Sequence, residues 1–355
     1  MSGKVLTHHL RLIMQTNILN TRVIRRLIYL IGTFLICFSF SAGAQEYTLL
    51  NASYDVSREL YKDINVAFAD QWLKKTGKTV NIQQSHDAST KQVLAVIAGL
   101  EADVVTMNQE LDIDKIVDKG ITRKDWRIRF NNNSAPYTST IVFLVRKGNP
   151  RNIKDWDDLI KADTAVILAN PKTSGNGRYS YLAAWGYGLR NLGDEEKARS
   201  FIKKLFQHAP ILNTGGRAAT NTFIQNNIGD VLLTFENEAF LIANDLDGDK
   251  FDVIVPPVSI EAEHPVAIID TVVNKKGTQE VAESYLNFLW TDAGQEIISK
   301  HHYRPRNKEI LSQHRDQFAD LELLSINELI PGGWSEAQRI HFSDGGVFDQ
   351  IYENQ

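Results

Sequence analysis

Apolar positions along this chain switch between short strand-like runs and stripes at helical spacing, and the switch recurs many times. Residues 47–50 form a strand-like run, and after the polar stretch 51–55 the residues Leu60, Ile64, Ala67, Phe68 and Trp72 return at helical intervals. A second strand is predicted over 80–83. Ser89 and Gln92 then stand at capping-box spacing before a helix carrying Val93, Val96, Ile97 and Leu100, and 102–106 reads as a third strand. The grammar resumes after the polar, proline-containing stretch 131–137, with strands expected over 140–145, 165–169, 211–212 and 231–234. The last three each run into a turn and a helix; β-prone residues follow at 266–273 and a helical stretch at 280–300. Strands and helices alternating at this spacing predict an α/β fold of mostly parallel sheets flanked by helices.

Four strand-to-helix turns, near Asp55, Ser89, Gly175 and Gly216, come from both halves of the chain. In open α/β sheets such turns gather at the carboxyl ends of the strands, where ligands bind, so a site shared by two lobes is expected. The most informative turn is Pro171-Lys-Thr-Ser-Gly-Asn-Gly-Arg178, which separates an apolar strand from an apolar helix. Backbone N–H groups at a helix start have no intrahelical partner, and the helix dipole adds roughly half a positive charge there. Gly175 and Asn176 can therefore hold an oxyanion without a cationic side chain.

Charge and targeting narrow the class. Residues 1–44 hold Lys4, Arg11, Arg22, Arg25 and Arg26 but no acid, then an apolar run from Leu27 to Phe40 and the small residues Ala42-Gly43-Ala44. This reads as a secretory signal cut after Ala44, with Met14 a start that brings the leader to ordinary length. Losing those cations takes the formal charge of −4 to about −9, which argues against nucleic acid or an anionic membrane as partner. Cys37, the single cysteine, lies inside the leader, so the exported chain has no disulfide and no thiol nucleophile.

Candidate chemistry is sparse. Ser85-His86-Asp87 cannot form a hydrolytic triad, since three consecutive side chains cannot reach the required mutual geometry. His301-His302 has no third ligand at metal spacing, and Asp245-Leu-Asp-Gly-Asp249 lacks the length and terminal Glu of a calcium loop. No P-loop or dinucleotide fingerprint is present. Neither an enzyme, a metal nor a cofactor is expected.

Several motifs together carry a family resemblance: Asn51-x-Ser-Tyr-Asp-Val-Ser-Arg-Glu-Leu60, Gln84-Ser-His86 with Ser89-x-Lys-Gln92, Ser134-Ala-Pro-Tyr137, Phe143-Leu-Val-Arg-Lys-Gly-Asn-Pro150, Asn170-Pro-Lys-Thr-Ser-Gly-Asn-Gly-Arg-Tyr179, Leu182-Ala-Ala-Trp-Gly186, Thr220-Asn-Thr-Phe223 and Tyr303-Arg-Pro-Arg306. The chain resembles the periplasmic sulfate- and thiosulfate-binding proteins over essentially its whole length beyond the leader. The resemblance implies a two-lobed periplasmic binding protein of type II, a monomeric receptor that closes on its anion and delivers it to an ABC permease. It further implies ligand contacts from the main-chain N–H groups of Asp55, Ser89, Gly175, Asn176 and Gly216 and from the Ser89 hydroxyl. Arg178, Arg217, Phe235 and Asp87 stand around them. Phe235 replaces the tryptophan of the sulfate-binding branch and cannot donate a hydrogen bond, which leans toward the thiosulfate branch. Asp87 stands where the family has small residues; the favoured reading turns it to solvent and leaves only Ser89 facing the cleft, but a carboxylate there could repel a dianion or accept a proton from hydrogen phosphate, so another tetrahedral oxyanion is the alternative ligand, and a secreted phosphatase or sulfatase the alternative class. The expected boundaries are one lobe from 45–129 and 237–290, a second from 130–236, and a helical tail, 291–355, packed on the second lobe.

Overall fold

A computed structural model describes residues 46–246 and 249–352; the expected leader and the middle of the 245–249 turn lie outside the described residues. Strand β1 (Glu46–Tyr54) pairs in parallel with β2 (Thr79–Asp87) and β3 (Val104–Thr106), and the antiparallel β12 (Val266–Ile268) joins the far side of β3. Helices cover both faces because the strands are apolar on both. In β3, Val104 packs with Leu49, Phe68 and Tyr285, while Val105 packs with Val93, Val96, Ile113 and Trp126. This is the strand period of two with both faces turned inward.

The second lobe repeats the plan. Here β5 (Ile141–Arg146) lies between β8 (Val231–Phe235) and β9 (Phe251–Ile254), and β6 (Val166–Ala169) lies between β8 and β7 (Leu212–Asn213). Ile141, Phe143 and Val145 face one core and Val142 and Leu144 the other. Each fully buried aliphatic side chain contributes roughly 1.5–3 kcal/mol, so each sheet and its helices hold together as a unit.

The chain passes between the lobes through a small antiparallel ribbon in which β4 (Tyr137–Ser139) is flanked by β11 (Ala262–Glu263) and β13 (Arg304–Pro305). A short parallel pair, β10 (Val258–Ile260) with β14 (Glu322–Leu324), completes the strands among the described residues.

Three boundary expectations need correction. The return to the first lobe was expected at 237, yet β9 is hydrogen-bonded into the second lobe's sheet beside β5, so the return comes after that strand. The β-prone stretch 266–273 is strand only as far as Ile268, where β12 stops; a helix then runs Asp270–Lys276, closed by Gly277 in the left-handed conformation (φ 68°) with its N–H on the Val273 carbonyl. The tail does not pack on the second lobe alone. Helix Asp292–Lys300 lies against the first lobe, where His301 Nε2 meets Asp63 Oδ2 at 2.9 Å, whereas Phe342 and Phe348 pack their edges against Tyr181 of the second.

Candidate functional site

The parallel strands of the two main sheets run into turns that start helices. From the first lobe, β1 runs into the turn Asp55–Ser57 before helix Arg58–Thr76, β2 into Ala88 before helix Ser89–Ile97, and β3 into 107–109 before helix Glu110–Asp118. From the second, β6 runs into 170–174 before helix Gly175–Tyr187, and β7 into 214–215 before helix Gly216–Ile224. These turns meet. A methyl group placed on Gly215 would stand 2.8 Å from Asp55 Oδ2 and 3.1 Å from Ala88 Cβ, and one on Gly216 would stand 3.2 Å from Val56 Cγ1 and 3.4 Å from the Asn176 side chain. The Arg217 N–H donates to Asp55 Oδ2 at 3.0 Å. Asp55, Ala88, Gly216 and Asn176 thus share one crevice, and Gly175 borders it beside Asn176.

Local contacts fix each helix start beside that crevice. Ser174 caps the Gly175 helix, its Oγ accepting from the Gly177 N–H at 3.5 Å, and Asn176 is anchored by Nδ2 donating to Thr234 Oγ1 at 3.3 Å. The Gly175–Asn176 turn carries no cation of its own. Arg178 is buried and spent elsewhere: Nε donates to the Pro171 carbonyl at 3.0 Å, Nη1 to Gln109 Oε1 at 3.4 Å, and the guanidinium lies over the Phe342 ring. Burial lowers its pKa, with the Asp112 charge opposing. Lys172 is held by Asp349 at 2.9 Å, so the tail braces this turn from outside.

Ser89 departs from expectation. It is the first helical residue and Ala88 the cap, so the capping box does not form; Gln92 instead exchanges hydrogen bonds with Ser85, and the Ala88 carbonyl accepts from Lys91 and Gln92. The Ser89 hydroxyl donates to the buried Asp112 carboxylate. A hydroxyl has one proton, so in this arrangement the donor assigned to a ligand by resemblance is engaged by Asp112, while the main-chain N–H stays at the helix start.

Arg217 ties the lobes together. Its guanidinium meets both Glu59 oxygens, at 3.2 and 2.9 Å, and Glu238 at 3.0 Å, while Thr220 Oγ1 donates to Glu238 at 2.8 Å. Burial raises the Asp55 carboxyl above its ordinary value, with the Arg217 N–H opposing, and raises Glu238 to about 7, with Arg217 opposing. Burial acts upward on Glu59 as well, but its bonds to Arg217 outweigh it and hold the group low. Phe235 is fully buried, edge-on to Tyr179 and His264. Asp87 turns outward: its side chain is half exposed, accepts from the Ala88 N–H at 2.7 Å and pairs with Lys91 at 3.3 Å.

The turn after β3 was missed from sequence, although it obeys the same strand-turn-helix grammar. Met107 Sδ lies 3.6 Å from Ser89 Oγ, Asn108 lies against Gly175, and Gln109 binds both Arg178 and Asp112. Around the crevice, Thr90 Oγ1, Asn108 Oδ1 and Asn176 Oδ1 are buried without a hydrogen-bond partner. Buried polar atoms of that kind cost free energy unless a further partner arrives. Among the described residues no group of three or more His, Cys, Asp or Glu could hold a metal ion, and no helix is long and apolar enough to cross a membrane.

Two α/β lobes joined by a crossing ribbon, with helix N-termini of both facing one crevice, define a type II two-lobed solute-binding fold. The family model for bacterial extracellular solute-binding proteins matches residues 56–304, and the chain belongs to that family. It is 55% identical over 305 residues to a thiosulfate-binding protein of Pseudomonas aeruginosa, covering 86% of this chain and 92% of the relative. It is 51% identical over 320 residues to a sulfate-binding protein of Escherichia coli, covering 90% and 97%. Among solved structures, the sulfate-binding protein SubI from Mycobacterium tuberculosis matches with a TM-score of 0.75 at 29% identity, covering 82% of this chain and 98% of SubI.

Proposed function

We propose that this protein is an exported receptor that captures sulfate or thiosulfate between its lobes and passes it to an ABC permease. The observation that carries this reading is the meeting of Asp55 and Ala88 of one lobe with Gly215 and Gly216 of the other, at helix starts whose N–H groups are uncharged donors. Main-chain N–H groups of Asp55, Ser89, Gly175, Asn176 and Gly216 would surround a dianion. Charge-assisted hydrogen bonds offset its desolvation without a buried cation. No covalent step is expected, and the receptor acts as a monomer in the periplasm after its leader is cut.

Phe235 supports a preference for thiosulfate: an aromatic ring edge-packed by Tyr179 and His264 offers no N–H but suits a polarisable terminal sulfur. Calorimetric titration of ligand-stripped protein with sulfate, thiosulfate and phosphate at pH 6 and 8 tests the reading. Sulfate and thiosulfate should bind at least ~100-fold more tightly than phosphate at both pH values. Tight phosphate binding that follows its protonation, or hydrolysis of a chromogenic phosphate or sulfate ester, would overturn it.

A further inference from the structure

We propose that Asn108 is a further ligand-binding residue, donating through its side-chain amide to the anion held at the Gly175 helix start. Asn108 follows β3 in the first lobe, whereas Gly175 opens a helix of the second. The neighbouring Met107 N–H is fixed to the Pro265 carbonyl at 2.9 Å, so the turn is anchored to the first lobe's sheet. The Asn108 side chain is 2% exposed, and its Oδ1 has no hydrogen-bond partner. It lies directly over Gly175: a methyl group there would stand 2.0 Å from Oδ1, 2.5 Å from Cγ and 2.7 Å from Nδ2, and all three of its nearest atoms belong to this one amide.

The chemistry fits an anion better than it fits packing. An apolar residue would fill the same space without an unpartnered carbonyl oxygen, whose burial is costly. The oxygen and nitrogen of an amide exchange places on a half-turn about the terminal bond. That turn sets the NH2 group in the place now held by Oδ1, beside the start of the Gly175 helix, where it becomes a neutral donor. Because donor and helix start belong to different lobes, the contact exists only when the lobes meet, so it favours the closed population in proportion to the ligand's hold on both. Gly175 is then required for two reasons, ligand approach and room for this amide.

This inference rests on the oxyanion reading, and the experiment separates the two. Wild type, Asn108→Ala and Asn108→Asp are titrated with sulfate and thiosulfate at pH 5 and 8, and their ligand-free melting is recorded. Asn108→Ala should raise Kd by about 10- to 100-fold, the range for a lost hydrogen bond to a charged group. Asn108→Asp keeps the shape but brings a carboxylate to the anion; binding should be weakened more than ~100-fold at pH 8 and recover partly at pH 5, because burial and the neighbouring dianion raise the carboxyl's pKa so that in the complex it takes up a proton and can donate again. In 15N-labelled wild type, one asparagine NH2 pair should shift on adding sulfate, and the same pair should be missing from Asn108→Ala. Wild-type binding with both variants within about threefold, or an unmoved Asn108 NH2 pair, overturns the role of Asn108 and leaves the receptor reading standing. No binding by the wild type overturns both.

Discussion

The two walls of the crevice solve one problem by opposite means. The second lobe presents Gly175, Gly215 and Gly216, positions with no side chain, so that main chain can approach what lies opposite. The first lobe presents Asp55 and Ser89, whose polar side chains could obstruct or repel an anion, and the fold ties both down with hydrogen bonds. The Asp55 carboxylate accepts the N–H of Val56 at 3.0 Å and of Arg217 at 3.0 Å, and the Ser89 hydroxyl goes to Asp112. One wall works because atoms are missing, the other because they are tied down. Adding atoms to the first kind of wall should therefore do far more harm than removing them from the second.

Gly175→Ala tests the wall of missing atoms and should have the largest effect. Its methyl group would collide with the amide of Asn108, which is buried and cannot swing into solvent. Closure over an anion should be blocked, raising Kd for sulfate and thiosulfate more than ~100-fold, or about 2.7 kcal/mol. The melting temperature without ligand should barely move, since an open cleft relieves the clash. Calorimetry with small-angle scattering checks this; an affinity within tenfold of wild type would show that this wall tolerates a side chain.

Ser89→Ala tests the wall of tied-down atoms, with an effect one step smaller and partly on stability. Removing the hydroxyl takes a donor from the Asp112 carboxylate, which keeps Gln109 Nε2 at 3.1 Å and Lys115 at 3.9 Å. The expected cost is about 1–3 kcal/mol of stability, visible in urea unfolding, with affinity falling about tenfold or less because the Ser89 N–H remains. An affinity loss as large as that of Gly175→Ala, with stability unchanged, would mean that the hydroxyl leaves Asp112 for the ligand.

Much of this arrangement was readable in the sequence, and the unread parts have physical causes. The strand and helix periods predicted the α/β lobes because both faces of each sheet are buried, which makes the apolar runs nearly continuous. The lobe boundaries were misread because β9 and β10 return beside strands far away in sequence, and pairing across such distances leaves no local signature. The helix after β12 was hidden by the β-branched residues Val272 and Val273; its stop at Gly277 and the acid Asp270 in its first turn were the available signals. The Ser89 cap was misassigned because residue order cannot say whether a hydroxyl turns back on its own helix or reaches Asp112, 23 positions on. The turn holding Asn108 had the same grammar as its neighbours, but β3 is only three residues long and its turn carries no glycine.

Glu238 sharpens the comparison from a third side, because the link between the walls is ionic. Arg217 of the second lobe reaches Glu59 of the first and Glu238 of its own. Burial lifts Glu238 to about 7 from its ordinary 4.5, so between those values the folded protein retains a proton that the unfolded chain has lost. Stability should therefore fall as pH rises from about 4.5 to 7 and level off above, and Glu238→Gln should flatten that slope by an amount on the order of a few kcal/mol. Chemical denaturation across pH 4.5–8 checks it, and a slope that survives the substitution would assign the titration to another group.

The smallest effect should come from Asp87, the carboxylate read from sequence as turned to solvent, with repulsion of an anion as the alternative. Its side chain is 51% exposed and pairs with Lys91, itself 57% exposed, at 3.3 Å, outside the crevice that Ala88 borders. Exposed pairs of this kind contribute about 0–1 kcal/mol and are screened by salt. Asp87→Asn should change Kd for sulfate and thiosulfate by less than about threefold, and raising the ionic strength from 20 to about 500 mM should shrink even that difference. A tenfold gain in sulfate affinity, or a switch from phosphate to sulfate binding on this one substitution, would place the carboxylate inside the ligand's field after all. The tied-down wall would then have one side chain still free to select its anion.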